Sequence, residues 1–95
     1  MANYMIIVEL HNASTEDYKK LHSALADSNI YRVIKNIETG KFYVLPRACY
    51  QYIGDISNIE VIRCSAENAI KTVTDTYELV VTQSLGASWA GLTEI

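Results

Sequence analysis

Tyr4-Met5-Ile6-Ile7-Val8-Glu9-Leu10 is the stretch on which the reading of this chain turns. Tyr4, Ile6, Val8 and Leu10 fall on one side of an extended backbone, and Met5, Ile7 and Glu9 on the other. Its length and β-branched content mark a strand, and so little polarity on either side places it centrally, nearly buried on both faces. The apolar run Met5 to Val8 falls far short of the roughly 20 residues that a membrane span needs. Met1-Ala2-Asn3 supplies no basic region ahead of it, so no signal peptide is expected.

Outward from this strand, His11-Asn12-Ala13 reads as an exit turn and Ser14 as a helix N-cap, with Glu16 and Asp17 in the first turn complementing the helix dipole. Tyr18, Leu21, His22 and Leu25 repeat at i, i+3, i+4 and i+7, one apolar helical face. Asp27-Ser28-Asn29 closes the helix. Tyr31 to Ile37 reads as a second strand, Glu38-Thr39-Gly40 as a hairpin turn with glycine where φ is positive, and Phe42 onward as a third strand. Pro46 has no N–H for a ladder, so it breaks that strand or confines it to an edge. Cys49 to Ile53 resumes an extended pattern. Ser57-x-x-Glu60 has the form of a capping box, followed by Ile59, Ile62, Ala66, Ala69, Ile70 and Val73 at helical spacing. Tyr77 to Gln83 alternates as a fourth strand. Residues 84–95, with two glycines and the lone Trp89, read as a flap or partner arm without regular structure.

The order strand, helix, strand, strand, helix, strand within 95 residues predicts one α+β domain spanning 1–95. The expected architecture is the ferredoxin-like β-α-β-β-α-β fold, a four-stranded antiparallel sheet with two helices on one face. Another small α+β meander is the alternative.

A net charge of −3 argues against a strong electrostatic nucleic-acid binder. Its distribution is uneven. Lys19, Lys20, Arg32, Lys35, Lys41 and Arg47 face only Asp27 and Glu38 within residues 19–47, a local charge of +4, while the rest of the chain carries −7. Such a dipolar surface can steer a phosphate backbone to one side, although scattered lysines also serve solubility. Cys49 and Cys64 lack CxxC or CxxH partners and read as reduced core residues. Two histidines and two cysteines at this spacing do not make a zinc site, and no phosphate-loop, Rossmann or nucleophile-elbow glycine pattern is present, so neither metal nor cofactor is expected.

Glu9 and His11 stand two apart at the end of the first strand. If the strand continues, they share a face, where a carboxylate beside an imidazole can tune a general base for attack by an RNA 2′-hydroxyl. Arg32, Arg47 or a lysine (Lys35, Lys41) would hold the phosphate. His11 also reads simply as a turn residue, and His22 as a boundary residue with one nitrogen satisfied. Seven tyrosines invite comparison with base-stacking sheets, but Lys41-Phe42-Tyr43-Val44-Leu45 lacks the glycine-spaced aromatic motif, so most read as half-buried packing residues.

The blocks YMIIVELHNAS, DYKKLHSALADSNIYRVI and TGKFYVLPRACYQY, followed by a helix and a last strand, resemble the GhoS family of small bacterial and phage-borne proteins. The resemblance rests on Leu21-His22 in the first helix and on Leu45-Pro46 leading to Tyr50, and it extends to Gln83. It implies a ferredoxin-like fold similar to small CRISPR-associated nucleases. It also implies a type V antitoxin, an endoribonuclease acting on the messenger RNA of a small membrane toxin; with no export signal expected, the chain itself reads as cytoplasmic. Glu9 falls where those nucleases carry an aspartate, and His22 where the family's characterised member has an arginine. His11, His22 and Glu9 are thus the candidate catalytic residues, and Arg32, Lys35, Lys41 and Arg47 the candidate RNA contacts. The competing expectation is a non-catalytic regulatory module that dimerises through an exposed strand edge or through the tail.

Overall fold

The computed structural model describes residues 1–95 and shows a mixed α+β chain with two helices and seven strands in two antiparallel sheets. The strands are β1 (Ala2–Leu10), β2 (Ile30–Tyr31), β3 (Val33–Lys35), β4 (Phe42–Val44), β5 (Cys49–Gly54), β6 (Tyr77–Gln83) and β7 (Thr93–Glu94); the helices are α1 (Thr15–Ala26) and α2 (Ile59–Lys71). The larger sheet runs β2-β5-β1-β6 and the smaller β3-β4-β7.

β1 is central in its sheet, as its sequence foretells, with Ile6 opposite Tyr50 of β5 and Val81 of β6. Tyr4, Ile6, Val8 and Leu10 join Tyr18, Leu21 and Leu25 of α1 and Ile62, Ala66, Ala69 and Ile70 of α2 in one cluster of buried residues. Each fully buried aliphatic side chain there contributes about 1.5–3 kcal/mol from leaving water. The opposite side of β1 departs from expectation. Ile7 is 47% exposed and Glu9 is exposed, because an antiparallel sheet needs only one covered face.

Ser14 caps α1 as its position demands. Its hydroxyl accepts from the Asp17 N–H at 3.2 Å while the Asp17 carboxylate accepts from the Ser14 N–H at 3.0 Å, a reciprocal box. The box expected at Ser57 is not formed. α2 starts one residue later, on Asn58, whose Oδ1 accepts from the Glu60 N–H at 2.9 Å, and the Glu60 carboxylate turns instead to Arg63 at 3.1 Å.

The stretch Tyr31–Ile37 is not one strand. It divides at Arg32, so that β2 pairs with β5 in the larger sheet and β3 with β4 in the smaller. Phe42–Val44 therefore belongs to the second sheet, and the larger sheet takes Cys49–Gly54 after the break at Pro46. Ile34 of β3 and Leu45, just after β4, are buried outside the main cluster. The intervening turn keeps the expected chemistry. Asn36 Oδ1 accepts from the N–H groups of Glu38 and Thr39, and Gly40 takes φ of 75°, which suits a residue without Cβ. The tail is more ordered than its composition suggests. Thr93–Glu94 pairs with β4, Trp89 lies against Tyr43 with ring centroids 5.7 Å apart, and Lys41 reaches Glu94 at 3.7 Å. Cys64 is exposed, not a core residue, because it points off the solvent side of α2; both thiols are free. No helix is long and apolar enough to cross a membrane.

Candidate functional site

The inner face of α1 carries Tyr18, Leu21 and Leu25 into the core and leaves His22 half-buried at its border. Alternation along β5 sends Tyr50 into the same core, where it is fully enclosed. The two side chains meet, with His22 Nδ1 2.7 Å from the Tyr50 hydroxyl. Arg32, at the crossing between the sheets, brings Nη1 to 3.4 Å from His22 Nε2. Its Nε and Nη2 both donate to the Leu45 carbonyl, at 3.2 and 2.9 Å, while the Leu45 N–H donates back to the Arg32 carbonyl at 2.9 Å. Arg47, just after Pro46, lays its guanidinium over the Tyr18 ring, 4.3 Å from the centroid, and the Tyr18 hydroxyl accepts from the Leu10 N–H at 3.1 Å. One cluster therefore joins the end of β1, the middle of α1, the β2–β3 crossing and the entry to β5.

The electrostatics of this cluster follow from its composition. A guanidinium only donates, so His22 Nε2 is the acceptor toward Arg32, and Nδ1–H donates to the Tyr50 oxygen. Burial lowers the His22 pKa below its usual value, and the charges of Arg32 and then Arg47 lower it further. The imidazole is therefore neutral near pH 7. Burial pushes the Tyr50 hydroxyl well above the ordinary tyrosine range, so it stays protonated and holds the ring of His22 in place.

Arg32 and Arg47 take part in none of the chain's ion pairs, which occupy His11, Lys19, Lys41, Arg63 and Lys71. Of the five N–H groups of Arg32, three are engaged, leaving one on each terminal nitrogen. The cluster thus concentrates positive charge beside a neutral base without a carboxylate to cancel it, the arrangement that suits an oxyanion such as a phosphate.

The structure brings His22, Arg32 and Arg47 together and leaves the other candidate residues apart. His11 lies in the turn after β1 and its Nε2 is 3.1 Å from Glu78, not beside Glu9. Glu9 is exposed and stands opposite Glu78 in the β1–β6 register. The His11–Glu78 pair is solvated on both sides and contributes at most about 1 kcal/mol. Lys35, in β3, lies over the Phe42 ring, 5.7 Å from its centroid, and Lys41, just before β4, reaches Glu94 of β7. Tyr18 and Tyr50 are read from the sequence as a packing residue and a motif residue, not as members of a site. The alternation around Tyr50 marks it as inward-facing, but its partner lies 28 residues away. No three of the chain's His, Cys, Asp and Glu side chains converge as a metal-ligand group. Compared with known proteins, the chain matches no family model and no curated protein.

Proposed function

We propose that this protein is a small RNA-binding domain that holds a phosphodiester between Arg32 and Arg47 and acts as an endoribonuclease-like antitoxin of the GhoS type. The observation that carries this reading is a pair of guanidinium groups, Arg32 in contact with a neutral His22 and Arg47 over the neighbouring Tyr18 ring, neither of them in an ion pair. The scaffold in this reading is ferredoxin-like. β3, β4 and β7 are an elaboration on a β1-α1-β2-β5-α2-β6 frame, whose strand order β2-β5-β1-β6 and shared core of β1, α1 and α2 suit that fold. The resemblance in Leu21-His22 and Leu45-Pro46 points the same way, and both pairs lie at the site: His22 is its base and Leu45 the anchor of Arg32. A phosphate that draws Arg32 Nη1 toward itself frees His22 Nε2, the lone pair a 2′-hydroxyl proton needs. Such a role places the protein in the cytoplasm with RNA as its partner.

The test is fluorescence anisotropy with single-stranded RNA over a series of salt concentrations. Each lost phosphate contact should flatten the slope of log affinity against log salt by about 0.7, so Arg47→Ala should do so once and Arg32→Ala with Arg47→Ala twice. Cleavage of a bound RNA should vanish in His22→Ala while binding persists. Slopes identical to the unaltered protein's would remove the phosphate site from consideration.

One observation favours a second reading, a non-catalytic dimeric module. β6 is a seven-residue strand at the margin of the larger sheet with no neighbour on its outer side. Trp89 and β7, the tail's means of reaching a partner, are engaged within the chain.

A further inference from the structure

The two ends of the larger sheet differ. At one end β2 contributes two residues, too short to template another strand. At the other, β6 runs seven residues in unbroken register with β1, from Tyr4 opposite Gln83 to Leu10 opposite Tyr77. It contains no proline, lysine or bulge, the devices that usually blunt an edge, and a single charge, Glu78.

The hydrogen-bond phase of β6 follows from its ends. The Ser84 N–H donates to the Asn3 carbonyl at 2.8 Å and the His11 N–H to the Thr76 carbonyl at 3.2 Å. Both are directly opposed residues in the same register. In an antiparallel ladder hydrogen-bonded and non-hydrogen-bonded pairs alternate. Glu78, Val80 and Thr82 therefore direct their N–H and C=O groups toward β1. Tyr77, Leu79, Val81 and Gln83 direct theirs outward, along the open edge.

We propose that this edge pairs antiparallel with β6 of a second copy about a twofold axis through Val80, joining the two larger sheets into one. This deepens the dimeric reading above and stands apart from the RNA reading. About that axis Tyr77 faces Gln83 and Leu79 faces Val81, and every outward N–H meets an outward C=O. Val80 meets its own counterpart, and Glu78 meets Thr82 instead of another Glu78, so the strand's one charge is not set against itself. Leu79 and Val81, only partly buried at the rim of the core, gain cover from each other's counterparts. On the outer face Val80, 53% exposed, and Ile7, 47% exposed, continue as an apolar band across the joint. A register moved by two residues would leave one end of each strand unpaired.

Two measurements on the full chain test this. Light scattering across the micromolar range should give twice the 10.7 kDa chain mass. Val80→Lys should weaken association by about tenfold, since it opposes two like charges across a close pair. Val80 is exposed, so its circular dichroism should stay that of the parent. Amide exchange gives a reading that needs no variant. In the dimer, the Tyr77, Leu79, Val81 and Gln83 amides should exchange as slowly as those of Val80 and Thr82, and on dilution to monomer they should accelerate at least about tenfold while Val80 and Thr82 stay slow. A monomeric mass at all concentrations overturns both this proposal and the dimeric reading. A dimeric mass with those four amides exchanging freely overturns this edge alone and leaves dimerisation by another surface.

Discussion

Arg32→Met tests how far one side chain holds the two sheets and the site together. Methionine keeps the aliphatic stem and deletes the guanidinium. What is lost is two donations to the Leu45 carbonyl, at 3.2 and 2.9 Å, and one to His22 at 3.4 Å. The two share one acceptor and the third is long, so the sum is nearer one strong charged hydrogen bond than three. With the Leu45 carbonyl left short of donors, about 2 kcal/mol is a fair figure. For a chain of this length, urea unfolding with a slope of roughly 1 kcal/mol/M turns that into a midpoint lower by about 2 M. The same change removes the nearer cation acting on His22, so the His22 pKa should rise toward 6.5 in an NMR titration of the ring protons. The Val33–Lys35 and Phe42–Val44 amides should exchange faster, because Arg32 and Leu45 join the adjoining ends of these two paired strands. An unchanged urea midpoint, or an unmoved His22 titration, would each contradict this role of Arg32, which requires both to respond.

Further outcomes follow from the same geometry. The His22 pKa is lowered on folding, so the unfolded chain binds the extra proton first as pH falls; stability is full above 6.5 and declines from there toward the lowered value. His22→Gln should therefore flatten the thermal-melt dependence between pH 7 and the His22 titration, above the window where Asp17 and Glu67, both lowered on folding, lose their contributions. Ser14→Ala should cost about 1 kcal/mol in chemical denaturation, whereas Ser57→Ala should be within about 0.5 kcal/mol of the parent, because only the first closes a capping box. Gly54→Ala should destabilise by about 1–3 kcal/mol, since a Cβ there would meet the Tyr52 hydroxyl at 2.5 Å and that hydroxyl is held by the Ile56 N–H.

What the sequence shows of the fold is its local physics. Helical spacing in Tyr18, Leu21 and Leu25 and in Ile62, Ala66 and Ile70 finds the buried faces of α1 and α2, and parity in Tyr4, Ile6, Val8 and Leu10 finds the core side of β1. Gly40 reads correctly because its turn is set within a few residues. The misreadings are tertiary in origin. The alternation continues through Arg32, while the strand divides there, at the residue whose side chain is bonded to the Leu45 carbonyl 13 residues away. Ser57 and Asn58 are equally good caps by residue type, and a one-residue difference in helix entry chooses between them. β7 has no signal of its own; Thr93 and Glu94 are extended because β4 and Trp89 against Tyr43 hold the tail.

The candidate site divides along the same line. His22 at the border of an apolar helical face, and the local excess of Arg32 and Arg47, are both readable from composition and period. Their convergence is not, for Arg32 reaches His22 across 10 residues and Tyr50 reaches it across 28. The pairing of Glu9 with His11 is natural on a continued strand, but β1 ends at Leu10 and the turn delivers His11 to Glu78 of the neighbouring strand.

A titration of isotope-labelled protein with a short single-stranded RNA, followed by NMR, bears most directly on the site. The Arg32 and Arg47 guanidinium N–H signals and the His22 ring signals should move together and saturate at one RNA concentration. Shifts confined to Lys35, Trp89 and the small sheet, with those three side chains still, would contradict the phosphate site.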